Sequence, residues 1–173
     1  MRDARLYLLF DPTACRGEPW QTLRAAIDGG VDVVQWRPGR AATADDYWRC
    51  REVCVAQRVP LIVNDDVMLA IRGHAAGAHV GQDDMPAVAA RRLLETRWLG
   101  VSTHDERQVI AAAAAGADYI GLGPCHATAT KGYREGLPDA VLAAAIERAR
   151  ALQLPLFAIG GITPDNLPRL RAF

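Results

Sequence analysis

Seven short apolar segments, separated by stretches with helical spacing, constrain the fold of this chain more than any other feature. Each segment is three to six residues long and apolar on both faces, as buried parallel strands are. Strands are predicted at Leu6–Phe10, Val31–Trp36, Leu61–Val63, Ala78–Val80, Trp98–Val101, Tyr119–Leu122 and Leu156–Ile159. Helices are predicted at Trp20–Asp28, Ala44–Arg58, Val67–Ile71, Ala87–Glu95, Asp105–Ala115, Pro138–Leu152 and Pro164–Arg171. Such alternation predicts an α/β fold with a parallel sheet.

Two α/β architectures accommodate seven strands of this kind, an open doubly wound sheet and a (β/α)8 TIM barrel. The first strand is followed by Phe10-Asp11-Pro12-Thr13, without the glycine-rich turn that a dinucleotide-binding sheet needs. The sequence therefore favours a single barrel domain over residues 1–173. Because the seventh unit ends at Phe173, we expect the barrel to lack its eighth strand and helix and to be incomplete at its C-terminus.

Glycine positions give a weak internal repeat that supports this reading. Gly30, Gly77 and Gly116 each precede a predicted strand, and each is expected to end a helix in the left-handed conformation. Near the end of the chain, Thr163 is expected to cap the last helix, with Pro164 in its first turn.

Composition excludes several classes of function. The 20 basic residues balance 20 acidic ones, so no general attraction to nucleic acid or to an anionic membrane is expected. There is no apolar run of membrane length and no leader pattern, which favours a cytoplasmic protein. The four cysteines lack a second pair at zinc spacing and are expected to be reduced thiols.

Polar side chains follow six of the predicted strands, at the end where the sites of parallel α/β proteins lie. The groups that carry chemistry are Gln35, Arg37, Asn64, Asp65, Asp84, Ser102, Thr128, Thr130, Lys131 and the Gly160-Gly161 pair. Arg37 and Lys131 suit anionic oxygens. The carboxylates Asp65 and Asp84 suit a hard cation such as Mg²⁺. Together these residues predict a site for a phosphorylated substrate and Mg²⁺.

Each of these motifs also has a purely structural explanation when taken alone. Asn64-Asp65-Asp66 is ordinary turn and helix-capping chemistry, Gly160-Gly161 is an ordinary turn, and Thr128-Ala129-Thr130-Lys131 is an ordinary solvated loop. The functional interpretation gains weight because six strand ends agree on one chemistry.

In combination and order, these motifs resemble those of the thiamine-phosphate synthase family. The resemblance runs from Leu6 to about Leu170. The matching segments are Gln35-x-Arg37, Val63–Asp66, His79–Asp84, Gly100–His104, Gly121–Pro124, Thr128–Lys131 and Ala158–Thr163. The resemblance implies a barrel transferase that condenses hydroxymethylpyrimidine pyrophosphate with a thiazole phosphate, giving thiamine phosphate and pyrophosphate. It also implies small-molecule partners and, as is frequent in the family, association into homo-oligomers.

The resemblance further implies a role for each matching residue. Asp65 and Asp84 would ligate Mg²⁺, and Arg37, Asn64 and Lys131 would hold the pyrophosphate. Gln35 would meet the pyrimidine, with Ser102 beside the reacting centre. The thiazole phosphate would face Thr128, Thr130 and Gly161. Arg37, Ser102 and Lys131 would therefore be the catalytic residues.

The chain departs from the family pattern in the loop after the second strand. The usual motif there is Gln-x-Arg-x-Lys, and Gly39 takes the place of the lysine, with Arg40 as a possible source of the missing charge. Ala127 also replaces a usual proline before Thr128. Two other functions stay open: a thiazole tautomerase of the same superfamily, and a barrel that binds thiamine phosphates without turnover. Asp84 and Lys131 favour the synthase, whereas Gly39 and the expected lack of an eighth unit favour the non-catalytic barrel.

Overall fold

The structure is a computed structural model that describes residues 1–128 and 134–173. Within these residues, seven strands form one sheet in sequence order. They are β1 (Tyr7–Phe10), β2 (Val33–Trp36), β3 (Leu61–Asn64), β4 (Gly77–Val80), β5 (Trp98–Thr103), β6 (Tyr119–Leu122) and β7 (Leu156–Ala158). The helices are α1 (Pro19–Asp28), α2 (Ala44–Ala56), α3 (Val67–Arg72), α4 (Ala87–Leu94), α5 (Glu106–Ala114), α6 (Asp139–Ala151) and α7 (Leu167–Leu170). The predicted alternation of strands and helices is confirmed.

Local sequence explains where the helices begin. Thr43 and Asp46 form a reciprocal capping box at the start of α2. The carboxylates of Asp66 and Asp105 cap α3 and α5 by accepting backbone N–H groups. None of the helices in the described part of the chain has the length and apolar character that crossing a bilayer requires.

The chain divides into two compact units. The first, called here the N-terminal unit, comprises Arg2–His79 and Leu93–Trp98. Its core includes an aromatic series in which the Trp36 ring lies 6.4 Å from that of Phe10 and 6.0 Å from that of Tyr47. On α2, Cys50 and Cys54 are buried free thiols, and the neighbouring Cys54 thiol together with burial raises the pKa of Cys50.

The second unit, called here the C-terminal unit, comprises Met1, Val80–Arg92 and Leu99–Phe173. Its core is built from the fully buried side chains Leu99, Tyr119, Ile120, Leu122 and Leu142. The Tyr119 ring packs edge-on against that of Phe157, with centroids 5.7 Å apart. Parallel pairing joins β5 to β6 and β6 to β7, so the carboxyl ends of these three strands lie on one edge.

The predicted start of the last helix is wrong. The segment after Thr163 forms a turn in which the Asn166 side-chain oxygen accepts the Thr163 N–H at 2.8 Å. Helix α7 begins only after that turn, with Asn166 rather than Thr163 at its N-cap. Side-chain capping of the turn competes with a helix that would start at Pro164.

The predicted role of Gly77 is also wrong, although Gly30 and Gly116 have the expected positive φ angles of 102° and 81°. Gly77 lies in β4, and the left-handed residue before that strand is His74, with φ of 52°. A Cβ atom on Gly77 would lie 1.9 Å from the Trp98 carbonyl oxygen. Glycine is needed here because the backbones approach closely, and not because a helix ends.

Candidate active site

Gln35 is held rigidly in the N-terminal unit. It lies on β2 with only 3% of its surface exposed, and its Nε2 donates a hydrogen bond to the Tyr7 hydroxyl at 3.0 Å. Strand pairing sets this contact, because Tyr7 pairs with Val33 and Leu9 with Gln35. A buried amide fixed in this way presents its remaining polar atoms in one orientation.

The loop after β2 is tied to the end of β1. The Arg37 backbone N–H donates to the Phe10 carbonyl at 3.0 Å, extending the ladder one residue beyond β2. Asp11 follows directly, and its Oδ1 accepts the Thr13 N–H at 2.9 Å and the Thr13 hydroxyl at 2.7 Å. The Asp11 carboxylate also lies next to Gly39, with Oδ2 2.9 Å from the position that a Cβ atom on Gly39 would take. Arg37 is half-buried, whereas Arg40 is exposed.

The charge state of Asp11 reflects these contacts. Burial alone would raise its pKa, but the nearby Gly39 N–H, the hydrogen bonds from Thr13 and the charge of Arg37 together hold the pKa below its usual value. Asp11 is therefore a carboxylate at neutral pH, with its charge facing the loop that carries Arg37.

Gly39, which stands at the family's lysine position, lies close to the same two side chains. A Cβ atom on Gly39 would lie 2.5 Å from the Thr13 hydroxyl and 2.9 Å from an oxygen of Asp11. A side chain at this position would therefore have to displace the Thr13 hydroxyl or the Asp11 carboxylate.

Two adjacent carboxylates after β3 have different surroundings. Asp66 accepts the Leu69 N–H at 2.8 Å and caps α3. Asp65 has a left-handed backbone with φ of 62°, and its N–H donates to the His79 carbonyl at 2.8 Å. This conformation is uncommon for residues other than glycine, and aspartate and asparagine tolerate it best. Asn64 precedes them at the end of β3, paired in register with His79.

In the C-terminal unit, a tight turn presents Asp84 beside the end of β5. One Asp84 oxygen accepts the Gly81 N–H at 2.8 Å, which leaves its other oxygen outside this contact. Gln82 lies within this turn, and its Nε2 donates a hydrogen bond to the Ser102 carbonyl at 2.6 Å. Gln82 therefore links the turn that carries Asp84 to the strand that carries Ser102.

The loops after β6 and β7 run side by side in the same unit. The Cys125 N–H donates to the Ile159 carbonyl at 2.8 Å, and the His126 N–H to that of Gly160 at 2.9 Å. Gly160 and Gly161 have φ angles of 97° and 62°. A Cβ atom on Gly161 would lie 2.3 Å from the Ala127 carbonyl oxygen. Both glycines are therefore required by conformation and by the close approach of the neighbouring loop.

Some supporting residues were not found by sequence reasoning. Asn166 holds both sides of the Gly161–Thr163 turn, because its Nδ2 donates to the Gly161 carbonyl and its Oδ1 accepts the Thr163 N–H, each at 2.8 Å. Arg169 donates to the Cys125 carbonyl and pairs with Asp139. The Thr163-x-x-Asn166 spacing is the signal that identifies the first of these clamps.

The remaining predicted residues come after β6 in the sequence. Thr128 is the last residue described before the gap at 129–133, and Thr130 and Lys131 lie outside the described residues. After β5, the His104 Nδ1 is hydrogen-bonded to the Gly123 carbonyl, which places the proton on that nitrogen.

The carboxylates predicted to bind metal are divided between the units, Asp65 in the N-terminal unit and Asp84 in the C-terminal unit. Among the residues that the structure describes, no three His, Cys, Asp or Glu side chains are grouped as a metal site. The donor chemistry nevertheless fits Mg²⁺, which is usually bound by one or two carboxylates, water and substrate phosphates.

Comparison with known proteins decides the family. The chain matches the thiamine monophosphate synthase family model over residues 6–173. The chain belongs to the thiamine monophosphate synthase family. It is 41% identical over 172 residues to the thiamine-phosphate synthase of Chloroflexus aurantiacus, covering 95% of this chain and 77% of that relative. It is 40% identical over 177 residues to that of a Synechococcus strain, covering 99% of this chain and 49% of that protein.

A solved structure shows the fold of this thiamine monophosphate synthase family member. The thiamine phosphate pyrophosphorylase of Pyrococcus furiosus matches with a TM-score of 0.81 at 23% identity, covering 99% of this chain and 82% of that one. The predicted barrel fold class is confirmed. The predictions of a thiamine-phosphate synthase, and hence of a transferase acting on small molecules, are confirmed by the relatives.

Proposed function

We propose that this chain joins hydroxymethylpyrimidine pyrophosphate to a thiazole phosphate in a Mg²⁺-dependent reaction that releases pyrophosphate. The observation that carries the proposal is that the supporting contacts of both units are directed at the predicted site residues. Tyr7 fixes Gln35, the Phe10 carbonyl accepts the Arg37 N–H, and Gln82 links the turn of Asp84 to Ser102. Contacts of this kind are what a preorganised site requires.

Pyrophosphate recognition is assigned to Arg37, Asn64 and Lys131. The guanidinium of Arg37 suits two oxygens at once, whereas the ammonium of Lys131 acts as a point charge. Asp65 and Asp84 are the residues that would hold Mg²⁺ against the same group. Mg²⁺ bound there would supply positive charge to stabilise the leaving pyrophosphate.

Gln35 and Ser102 are assigned to the pyrimidine and the reacting carbon. The amide of Gln35, fixed by Tyr7, would read polar atoms on the edge of the pyrimidine ring. Ser102 follows three buried residues of β5 and is itself partly exposed at the end of that strand. The thiazole phosphate is assigned to Thr128, Thr130 and the Gly161 turn, which Asn166 clamps.

The reaction needs no nucleophile from the protein. The carbon–oxygen bond to pyrophosphate breaks, its electron pair leaves with the pyrophosphate, and the thiazole nitrogen supplies the pair for the new carbon–nitrogen bond. The electron-deficient pyrimidine methyl group formed on the way must be kept from water. The chain's contribution is therefore positioning, neutralisation of the leaving group and exclusion of water.

Carboxylate variants test the metal assignment. We expect Asp65→Asn and Asp84→Asn each to lower Mg²⁺-dependent turnover at least about 100-fold, because a neutral amide is a poor Mg²⁺ ligand. Asparagine is chosen because it tolerates the left-handed backbone of Asp65 and retains the oxygen that accepts from Gly81 at position 84. Turnover is measured over a Mg²⁺ titration, with the thermal midpoint as a check on folding.

Asp66→Asn is the matched control, because it changes the neighbouring carboxylate and keeps an oxygen to cap α3. Its turnover is expected to equal that of the unmodified chain. Full Mg²⁺-dependent activity in either Asp65→Asn or Asp84→Asn would refute the metal assignment. The predictions of homo-oligomers and of a cytoplasmic location remain predictions.

A further inference from the structure

Asp84 lies in an irregular segment of the C-terminal unit, between the end of β4 at Val80 and the start of α4 at Ala87. Residues 81–86 belong to neither a strand nor a helix. Within the segment, the Gly81 N–H donates to the Asp84 Oδ2 at 2.8 Å. This contact orients the carboxylate within its own turn, but it does not by itself fix the turn against the neighbouring strand.

The end of β5, which is in the same unit, is a fixed piece of backbone. Ser102 pairs in register with Gly121 of β6. The next residue, Thr103, is fully buried, and its hydroxyl donates to the Gly121 carbonyl at 3.1 Å. A group attached to the Ser102 backbone is therefore attached to the paired strands of the unit.

Gln82 makes that attachment for the turn of Asp84. Its Nε2 donates to the Ser102 carbonyl at 2.6 Å, although the two residues are 20 positions apart in sequence. A carbonyl only accepts hydrogen bonds, so the amide nitrogen and not the amide oxygen must face it. Gly81 adds a second constraint, because a Cβ atom there would lie 2.8 Å from the Asp84 Oδ2.

We propose that Gln82 is a positioning residue for the metal, which holds the turn of Asp84 against the end of β5. The Asp84 oxygen that does not accept from Gly81 is thereby presented at a fixed place. The inference rests on the proposed function, in which Asp84 holds Mg²⁺. It gives a role to Gln82, to which the resemblance to the family assigned none.

Gln82→Met removes the attachment and keeps a side chain of similar length without a hydrogen-bond donor. The turn is then free to take other positions, and ordering it again on Mg²⁺ binding lowers the affinity. We expect the Mg²⁺ concentration for half-maximal turnover to rise about fivefold, the equivalent of one ordinary hydrogen bond. Turnover at saturating Mg²⁺ is expected to approach that of the unmodified chain.

Hydrogen exchange of the Gly81 amide tests the same attachment without metal or substrate. This amide is protected by its hydrogen bond to Asp84, so its exchange rate reports opening of the turn. We expect exchange to be about fivefold faster in Gln82→Met when measured by NMR in the absence of Mg²⁺. Gln82→Asn, which is one methylene too short to reach Ser102, is expected to have both effects and keeps a polar side chain.

Arg91→Met is the matched control. The Arg91 side chain also donates to a backbone carbonyl, that of Gly116 at 3.3 Å, and it pairs with Asp118 at 2.9 Å. Gly116 and Asp118 precede β6, so these contacts lie at the opposite end of the strand from the turn. Arg91→Met is expected to lower the thermal midpoint while the Mg²⁺ requirement and the exchange of the Gly81 amide stay unchanged.

The outcomes separate the inference from the proposed function. A higher Mg²⁺ requirement together with faster Gly81 exchange, in both Gln82 variants and not in Arg91→Met, supports the inference. If either quantity is unchanged in the Gln82 variants, or changes equally in Arg91→Met, the inference is overturned while the proposed function stands. Turnover of the unmodified chain that does not depend on Mg²⁺ would refute the metal assignment and the inference with it.

Discussion

Carboxylates that look alike in this sequence are separated by what they contact. Asp66 and Asp105 cap helix N-termini, and Asp11 accepts hydrogen bonds from the backbone and the side chain of Thr13. Asp65, one residue from a cap, differs in its left-handed backbone. At the scale of single residues, the contacts of each carboxylate therefore separate helix caps from the candidate metal ligands.

Acid stability is predicted to depend on these capping carboxylates. The hydrogen bond from the Gln108 N–H holds the pKa of Asp105 below its ordinary value of 3.8. Burial opposes this shift with a smaller effect, and Arg107 adds to it. A pKa lowered by folding contributes stability that is fully present above about pH 4 and is lost as the pH falls through the folded-state pKa. The free energy of unfolding should therefore fall on acidification.

Asp105→Asn should flatten this dependence, because asparagine caps the helix without titrating. Thermal or urea unfolding is measured for both proteins between neutral pH and about pH 3. We expect the difference in stability between them to be constant near neutrality and to shrink in acid. An identical acid slope in the variant would show that Asp105 does not contribute.

At the scale of elements, the pattern of apolar runs predicts whether a segment is a helix or a strand better than it predicts the residues at which the segment begins and ends. Strand β6 has its predicted bounds, and α2 begins at the predicted Ala44 because Thr43 and Asp46 form a local capping box. The last helix starts later than predicted because Asn166 stabilises a turn instead. Side-chain hydrogen bonds over three residues are visible in sequence only as one of several alternatives.

Close approach between strands is not visible in sequence at all. Gly77 is an ordinary helix-ending glycine by its position, yet the Trp98 carbonyl occupies the space of its side chain. Likewise, Gly39 departs from the family pattern, and the sequence alone does not show that the side chains of Thr13 and Asp11 lie beside it. The sequence predicted which strand ends carry polar groups, but the supporting contacts of Tyr7, Asp11 and Asn166 required the structure.

Gly77→Ala tests the strand contact. The added Cβ would meet the backbone of Trp98 at 1.9 Å, and backbone atoms cannot move aside without separating β4 from β5. We expect a loss of about 3 kcal/mol in the free energy of unfolding, measured by urea denaturation. Gly17→Ala is the control, because nothing lies within 4 Å of its Cβ position. Equal stability of the two variants would contradict the account.

At the scale of the whole molecule, the predicted site residues are divided between the two compact units. The N-terminal unit carries Gln35, Arg37, Asn64 and Asp65, and the C-terminal unit carries Asp84, Ser102, Thr128 and Gly161. Similarity to known proteins establishes the family and the fold, whereas the proposed chemistry rests on the roles assigned to these residues.

The most direct measurement is formation of thiamine phosphate by this chain of 173 residues, given hydroxymethylpyrimidine pyrophosphate and thiazole phosphate. The reaction is run with Mg²⁺ and with the metal removed by a chelator. The account predicts equal amounts of thiamine phosphate and pyrophosphate in the presence of Mg²⁺, and neither after chelation. Failure to form thiamine phosphate by a folded chain supplied with Mg²⁺, or undiminished formation after chelation, would contradict it.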